Sequence, residues 1–345
     1  MNIITSTSLL FCLIMFIGCK SDTGPTASSK PASFLPPKDF PAMEFPNDNP
    51  YSAEKAELGR YLFFDKRFSR DTSVACGTCH RPEFAFADSG NVFSKGFHGL
   101  PGVRNSPSLT NTGYNTSYFW DGTVLTLEKQ AIAPIINPVE MNMDTDTLII
   151  RLKNESQYRS LFTSAWGTPE ITLERITRSL ATFQRTLVSG SSPFDDWNRG
   201  NNDAISASAK RGYELFFGEK GDCFHCHASY NFTDNMFHNN GTELFPADEG
   251  RYRLTNNAAD KGKFRTPTLR NIAKTSPYMH DGKFTTLVQV LAHYNMGGKN
   301  SETKDILMRP LGLTEQDQTD IIEFLRSLSD HKFTNNASLQ DPWKK

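Results

Sequence analysis

A mostly α-helical fold, made from one unit used twice, is predicted by three observations. First, four segments recur in the same order. Leu58-Gly-Arg-Tyr-Leu-Phe-Phe64, Arg104-Asn-Ser-Pro107-Ser-Leu, Trp120-Asp-Gly122 and Thr126-Leu127 are echoed by Arg211-Gly-Tyr-Glu-Leu-Phe-Phe217, Arg265-Thr-Pro267-Thr-Leu, His280-Asp-Gly282 and Thr286-Leu287. The spacings match too: 14 positions from Pro107 to Asp121 and from Pro267 to Asp281, then 6 to Leu127 and to Leu287. Such self-similarity marks a duplicated structural unit. Second, apolar residues recur at helical spacing in Leu173, Ile176, Leu180, Phe183 and Leu187, and again in Ile321, Ile322, Leu325 and Leu328. Third, no segment alternates apolar and polar as a half-buried strand does.

The elements follow in chain order. Residues 1–19 are an export signal: the apolar run from Leu9 to Gly18, at ten residues, is too short to span a bilayer. Phe16-Ile17-Gly18-Cys19 resembles a bacterial lipobox, in which the cysteine carries the lipid, although no Lys or Arg precedes the apolar run. That places the protein in the periplasm, with a lipid on Cys19 as its contact with the membrane. Residues 20–49, rich in Pro, Ser, Ala and Lys, read as a flexible tether. Residues 50–200 and 201–330 form the two repeated domains. Ser52 caps the first helix and Ser206 or Ser208 its counterpart, while Gly59 and Gly212 permit close helix crossings. The stripe from Leu173 to Leu187 ends at Gly190, and Thr314 caps the last long helix. Residues 331–345 are a polar, peripheral tail.

Composition narrows the function without naming it. The chain has 345 residues with 37 Lys+Arg against 38 Asp+Glu, a net charge of −1. It therefore lacks the basic surface that nucleic-acid binding requires. The 26 Phe residues supply enough aromatic bulk to wrap a large planar apolar group.

Four cysteines outside the leader carry the chemistry. They stand as Cys76-Gly-Thr-Cys79-His80 and Cys223-Phe-His-Cys226-His227. Both are C-x-x-C-H, the attachment signature of c-type haem: two thiols add to the vinyl groups and the adjacent His ligates the iron. Two disulfides or a zinc site would also use four cysteines. A zinc ribbon would not need the His in the same place twice, with its halves 147 residues apart. The prediction is two tandem cytochrome-c-like domains, each with one covalent haem.

This arrangement resembles the bacterial di-haem cytochrome c peroxidase family, which includes MauG-type proteins. The resemblance spans roughly Pro50 to Asp330. Its specific segments are Arg104-Asn-Ser-Pro107, Phe119-Trp-Asp-Gly122, Pro138-Val-Glu-Met141, Pro267-Thr-Leu-Arg-Asn271 and Pro277-Tyr-Met-His-Asp-Gly282. By resemblance the N-terminal haem is the peroxide site and the C-terminal haem receives electrons. Glu140 is then the catalytic acid–base, in keeping with its place after the apolar run 131–139, and Trp120 the indole between the haems. Met141 shapes the distal pocket or simply fills it. His98 is the displaceable cap of the resting N-terminal iron. Tyr294 or Met296 is the sixth ligand of the C-terminal haem; register favours the first and a peroxidase role the second. Asn105, Thr275 and Pro277 match an inter-domain calcium site, and Arg104 and Arg265 are candidates to pair haem propionates. His238, His293 and His331 have no assigned role. The implied activity is reduction of hydrogen peroxide by a small donor, a cytochrome c or a cupredoxin, by a monomer or a homodimer. The alternatives are a MauG-type oxidase acting on another protein, and a non-catalytic electron-transfer cytochrome.

Overall fold

The computed structural model describes residues 34–344. The export signal, Cys19 and the first part of the tether lie outside the described residues. The longer helices are α1 (Ala53–Phe63), α2 (Leu127–Ile136), α3 (Thr145–Lys153), α4 (Ser156–Trp166), α5 (Leu173–Arg185), α6 (Ala207–Phe217), α7 (Leu287–Asn295) and α8 (Glu315–Ser327). The described residues hold one small sheet, in which β1 (Phe237–His238) pairs antiparallel with β2 (Phe264–Arg265).

Local signals set the helix starts. Ser52 Oγ accepts the Lys55 N–H at 3.1 Å and Ser206 Oγ that of Ala209, also at 3.1 Å. Thr314 forms a reciprocal capping box with Asp317. Ser208 is not a cap; its hydroxyl bonds Asp320 on α8.

Helix α1 crosses α5, and α6 crosses α8, each at a glycine. A Cβ on Gly59 would lie 2.0 Å from the Ser179 carbonyl oxygen, and one on Gly212 1.9 Å from that of Asp320. The obstacle is backbone in both cases, so it cannot swing aside as a side chain would. Two cores form at these crossings. Leu58, Leu62, Phe63, Leu180 and Phe183 join Tyr158 and Phe162 in one. Phe216, Ile321, Phe324 and Leu325 join Phe194 and Phe232 in the other. Helix propensity alone would favour Gly212→Ala by about 1 kcal/mol. We expect instead a net loss of about 1–3 kcal/mol from overpacking, read as a lower chemical-denaturation midpoint at unchanged slope. An unchanged or raised midpoint would refute the crossing geometry.

Helix α5 ends at Arg185 rather than running to Gly190. The chain leaves the helix early to serve Asn111, whose N–H donates to Leu187 O at 2.8 Å and whose Oδ1 accepts the Ser189 N–H at 2.7 Å. Gly190 instead lies against Pro37 and Phe40, where a Cβ would meet the Pro37 ring at 2.6 Å. The second half repeats the Asn111 arrangement: the Asn271 N–H donates to Leu328 O at 3.1 Å and its Oδ1 accepts the Asp330 N–H at 2.7 Å. The two knots touch, because Asn271 Nδ2 donates to Ser189 Oγ at 3.0 Å and that hydroxyl donates to Asp330 Oδ2 at 3.1 Å.

Both ends of the described residues are packed more tightly than composition indicates. From 34 to 49 the expected tether is docked. Phe40 is buried against Tyr114, Tyr230 and the Arg270 guanidinium, and buried Asn49 donates to Glu128 Oε1 at 2.9 Å. At the other end, Phe333 enters the first core and Trp343 Nε1 donates to Tyr61 O at 3.0 Å. A few aromatic and amide anchors decide these placements, and averaging over a polar stretch hides them.

Candidate functional site

Each C-x-x-C-H segment lies on the wall of a cavity. Cys76, Cys79 and His80 line one of about 430 Å³, and Cys223, Cys226 and His227 one of about 240 Å³. None of the four thiols is in a disulfide. Burial pushes the Cys76 and Cys223 thiols up to about 12, so both are held as neutral thiols. The two histidines are oriented alike. His80 Nδ1 is 2.9 Å from Phe86 O and His227 Nδ1 is 2.9 Å from Phe232 O, which leaves each Nε2 as the nitrogen available to iron.

The residues between the cavities also follow the repeat. Trp120, Asn105 and Arg265 line both. The Asn105 N–H donates to His280 O and the Arg265 N–H to Trp120 O, both at 2.7 Å. The Trp120 indole N–H donates to Asn105 O at 2.8 Å, fixing the ring in this partition.

Arg265 tests whether the cavities suit haem. It is 8% exposed; among the described residues its Nε has no hydrogen-bond partner, its Nη1 reaches only Thr266 O at 3.2 Å and Asn235 Oδ1 at 3.5 Å, and no carboxylate pairs with it. Burial lowers its pKa to about 10, still far above neutrality. A buried guanidinium without an acid requires an anion. A haem propionate entering either cavity provides one, so the residues present fit the group. Arg104 does not share this role, because Asp248 holds it with two bonds of 2.6 and 2.9 Å and Asp121 with a third of 2.6 Å.

In the first cavity, Glu140 is half-buried, and burial raises its carboxyl above the usual range. Asn137 Nδ2 donates to its Oε1 at 2.7 Å, leaving Oε2 uncommitted. Met141 is buried on the same wall.

His98 is elsewhere. It is exposed, with φ of 54°, in a turn whose leading residues, Gly96 and Phe97, lie against the backbone of Val139 and Glu140. There the Phe97 N–H donates to Glu140 O at 2.7 Å, and a Cβ on Gly96 would meet Val139 O at 2.2 Å. The turn therefore presents its backbone to Glu140, and the His98 ring packs on Phe97 outside the cavity.

In the second cavity the choice between Tyr294 and Met296 is spatial. Tyr294 faces inward from α7, with its hydroxyl accepting from Asn240 Nδ2 at 3.3 Å. Met296 caps the end of α7 and is 70% exposed. Sequence reading missed two inward thioethers, Met279 and Met308. Asn240 Nδ2 also reaches Met279 Sδ at 3.2 Å. Thr275 and Pro277 line the second cavity with Asn105, whose Nδ2 donates to Asn91 O and Val92 O at 3.2 and 3.0 Å.

Residues 53–203 match the family described as di-haem cytochrome c peroxidase. Over 299 residues the chain is 41% identical to the methylamine utilization protein MauG of Methylorubrum extorquens, covering 86% of this chain and 83% of that one. The chain belongs to the di-haem cytochrome c peroxidase and MauG family. It is also 36% identical over 339 residues to the cytochrome-c peroxidase IdrP1 of Denitromonas iodatirespirans, covering 89% and 90% of the two chains. Among solved structures it resembles a MauG-like protein associated with microbial copper homeostasis, with a TM-score of 0.85, 34% identity and coverage of 89% and 98%. As a di-haem cytochrome c peroxidase family member, the protein is an oxidoreductase of the peroxidase type and implies two c-type haems. Cys76, Cys79 and His80 would hold one haem and Cys223, Cys226 and His227 the other.

Proposed function

We propose that the protein reduces hydrogen peroxide to water in the first cavity, using electrons that enter at the second. The observation that carries this reading is Glu140, a half-buried carboxyl of raised pKa on the wall of a cavity that also contains Cys76, Cys79 and His80. The overall reaction takes H2O2, two electrons and two protons to two waters, each electron coming from one reduced donor molecule. When bound, the haems supply redox-active iron and the path for those electrons; the remaining tasks fall to the chain. Glu140 Oε2 takes the proton from one peroxide oxygen and returns it to the other, so that the departing oxygen leaves as water rather than hydroxide. Val74, Ala131, Val139, Met141 and Leu180 keep the cavity wall apolar, which makes the Glu140 carboxylate a stronger base for that proton. Trp120, fixed through Asn105 O, provides a π system between the cavities.

The donor in this reading is a small cytochrome c or cupredoxin. Asn105, Thr275 and Pro277 hold a calcium ion, with Asn105 Oδ1 and backbone carbonyls as oxygen ligands. The enzyme works in the periplasm, anchored through Cys19.

A second reading, MauG-type oxidation of another protein, is favoured by Tyr294 lying inside the second cavity while Met296 lies outside. A tyrosinate ligand favours ferric or higher iron. Steady-state peroxide turnover with reduced cytochrome c, with and without prior half-reduction, tests the first reading. Because His98 is outside the first cavity, turnover is expected without pre-reduction. No turnover in either state would overturn the peroxidase reading, and turnover only after half-reduction would return His98 to the iron.

A further inference from the structure

His238 is absent from every role above, yet it lies on the wall of the second cavity. Its Nε2 is 2.8 Å from Asp234 Oδ2 and its Nδ1 is 2.6 Å from Asp305 Oδ2. A carboxylate only accepts, so two carboxylates can be satisfied together only when both ring nitrogens carry hydrogen. The geometry therefore requires an imidazolium. The Asp234 carboxylate, and after it that of Asp305, hold its pKa above the ordinary histidine value. Both acids are correspondingly held below the usual carboxylate range despite their burial.

The Cys226 sulfur, an Asp234 oxygen and a His238 nitrogen all lie within 4.8 Å of one another. The group is not a metal site, because the Cys226 sulfur is committed to haem and both imidazole nitrogens are occupied. Each member is also tied to a different part of the cavity. The Asp234 N–H donates to Cys226 O at 2.9 Å, His238 is in β1, and the Asp305 N–H donates to Asn239 O at 2.9 Å. Asp305 Oδ1 accepts the Leu307 N–H at 2.9 Å, and Leu307, Met308 and Arg309 close that side of the cavity.

We propose that His238 is a positioning residue for the second haem: its cation offsets Asp234 and Asp305 beside the Cys226 thioether and staples the 305–309 segment over the cavity, keeping that haem's reduction potential high. Uncompensated carboxylates next to a haem edge in a low-dielectric wall would stabilise the ferric state, and the cation opposes them. The proposal rests on haem attachment at Cys223 and Cys226, and is independent of peroxide being the oxidant.

Spectroelectrochemical titration of the purified holoprotein, without peroxide or donor, tests it apart from the peroxidase reading. His238→Gln keeps a hydrogen-bonding side chain but no charge, and is expected to move the second haem's midpoint to lower potential while leaving the first in place. His238→Lys, which restores the charge, should return the midpoint toward wild type. Asp305→Asn, which removes a negative charge, should move it the other way. An unshifted midpoint in His238→Gln, or equal falls in the Gln and Lys variants, would overturn the proposal. Should His238→Gln fail to take up haem, Asp305→Asn decides alone, and a fall or no change there would overturn it.

Discussion

Glu140→Gln is expected to retain both haems and to lose peroxide turnover by about 10²–10⁴-fold, the usual worth of a positioned general acid–base. The amide preserves the size of the side chain and still has an oxygen to accept the Asn137 N–H, which is 2.7 Å from Oε1 in the parent. The fold around it should therefore survive, as the Glu140 backbone is held by Asn137 O and Phe97 N–H rather than by its side chain. What the amide cannot do is take a proton and give it back. Haem content and the ferric spectra serve as controls, and turnover is the readout. Activity within a factor of two of wild type would remove Glu140 from the mechanism.

On the MauG-type reading, in which Tyr294 would ligate the second haem, Tyr294→Phe is expected to change that haem's ferric spectrum and raise its potential, because a phenolate ligand that favours ferric iron would be replaced by a ring with no ligand atom. Met296→Leu should change neither, since Met296 is 70% exposed at the end of α7. The near-infrared region makes the comparison sharp. A thioether charge-transfer band lost only in Met296→Leu would overturn the Tyr294 assignment and require the end of α7 to unwind. A band lost in Met279→Leu would assign the ligand to the inward sulfur beside Asn240 instead. Both tests leave the first cavity untouched, so they separate ligand identity from peroxide chemistry.

Much of the fold was legible in the chain because its signals are local. Ser52, Ser206 and Thr314 cap helices through hydroxyls three residues from their targets, and the apolar stripe of α8 is buried as its period requires. Gly59 and Gly212 sit where two backbones meet, and only the absence of a side chain is needed to read them. The two C-x-x-C-H segments are also local: thiols and imidazole lie within five residues, so the haem-binding pattern survives without knowledge of the fold.

What escaped depends on partners distant in sequence. Arg104 and Arg265 look equivalent in the repeat, but Asp248 reaches one and, among the described residues, no acid reaches the other. Tyr294 and Met296 are two positions apart, and the end of α7 between them decides which faces the cavity. His98 has the glycines of a mobile loop, yet hydrogen bonding to the Glu140 segment turns its ring outward. His238 carried no pattern until Asp305, 67 residues away, closed on it. Asn111 and Asn271, each two residues past the repeated Leu109 and Leu269, have no role readable in sequence, because their partners at Ser189 and Asp330 lie beyond the ends of other helices. Sequence alone thus determined which covalent chemistry the chain is built for and how its helices begin. Burial and charge pairing, which act through space between segments far apart in the chain, decided which side chains face that chemistry.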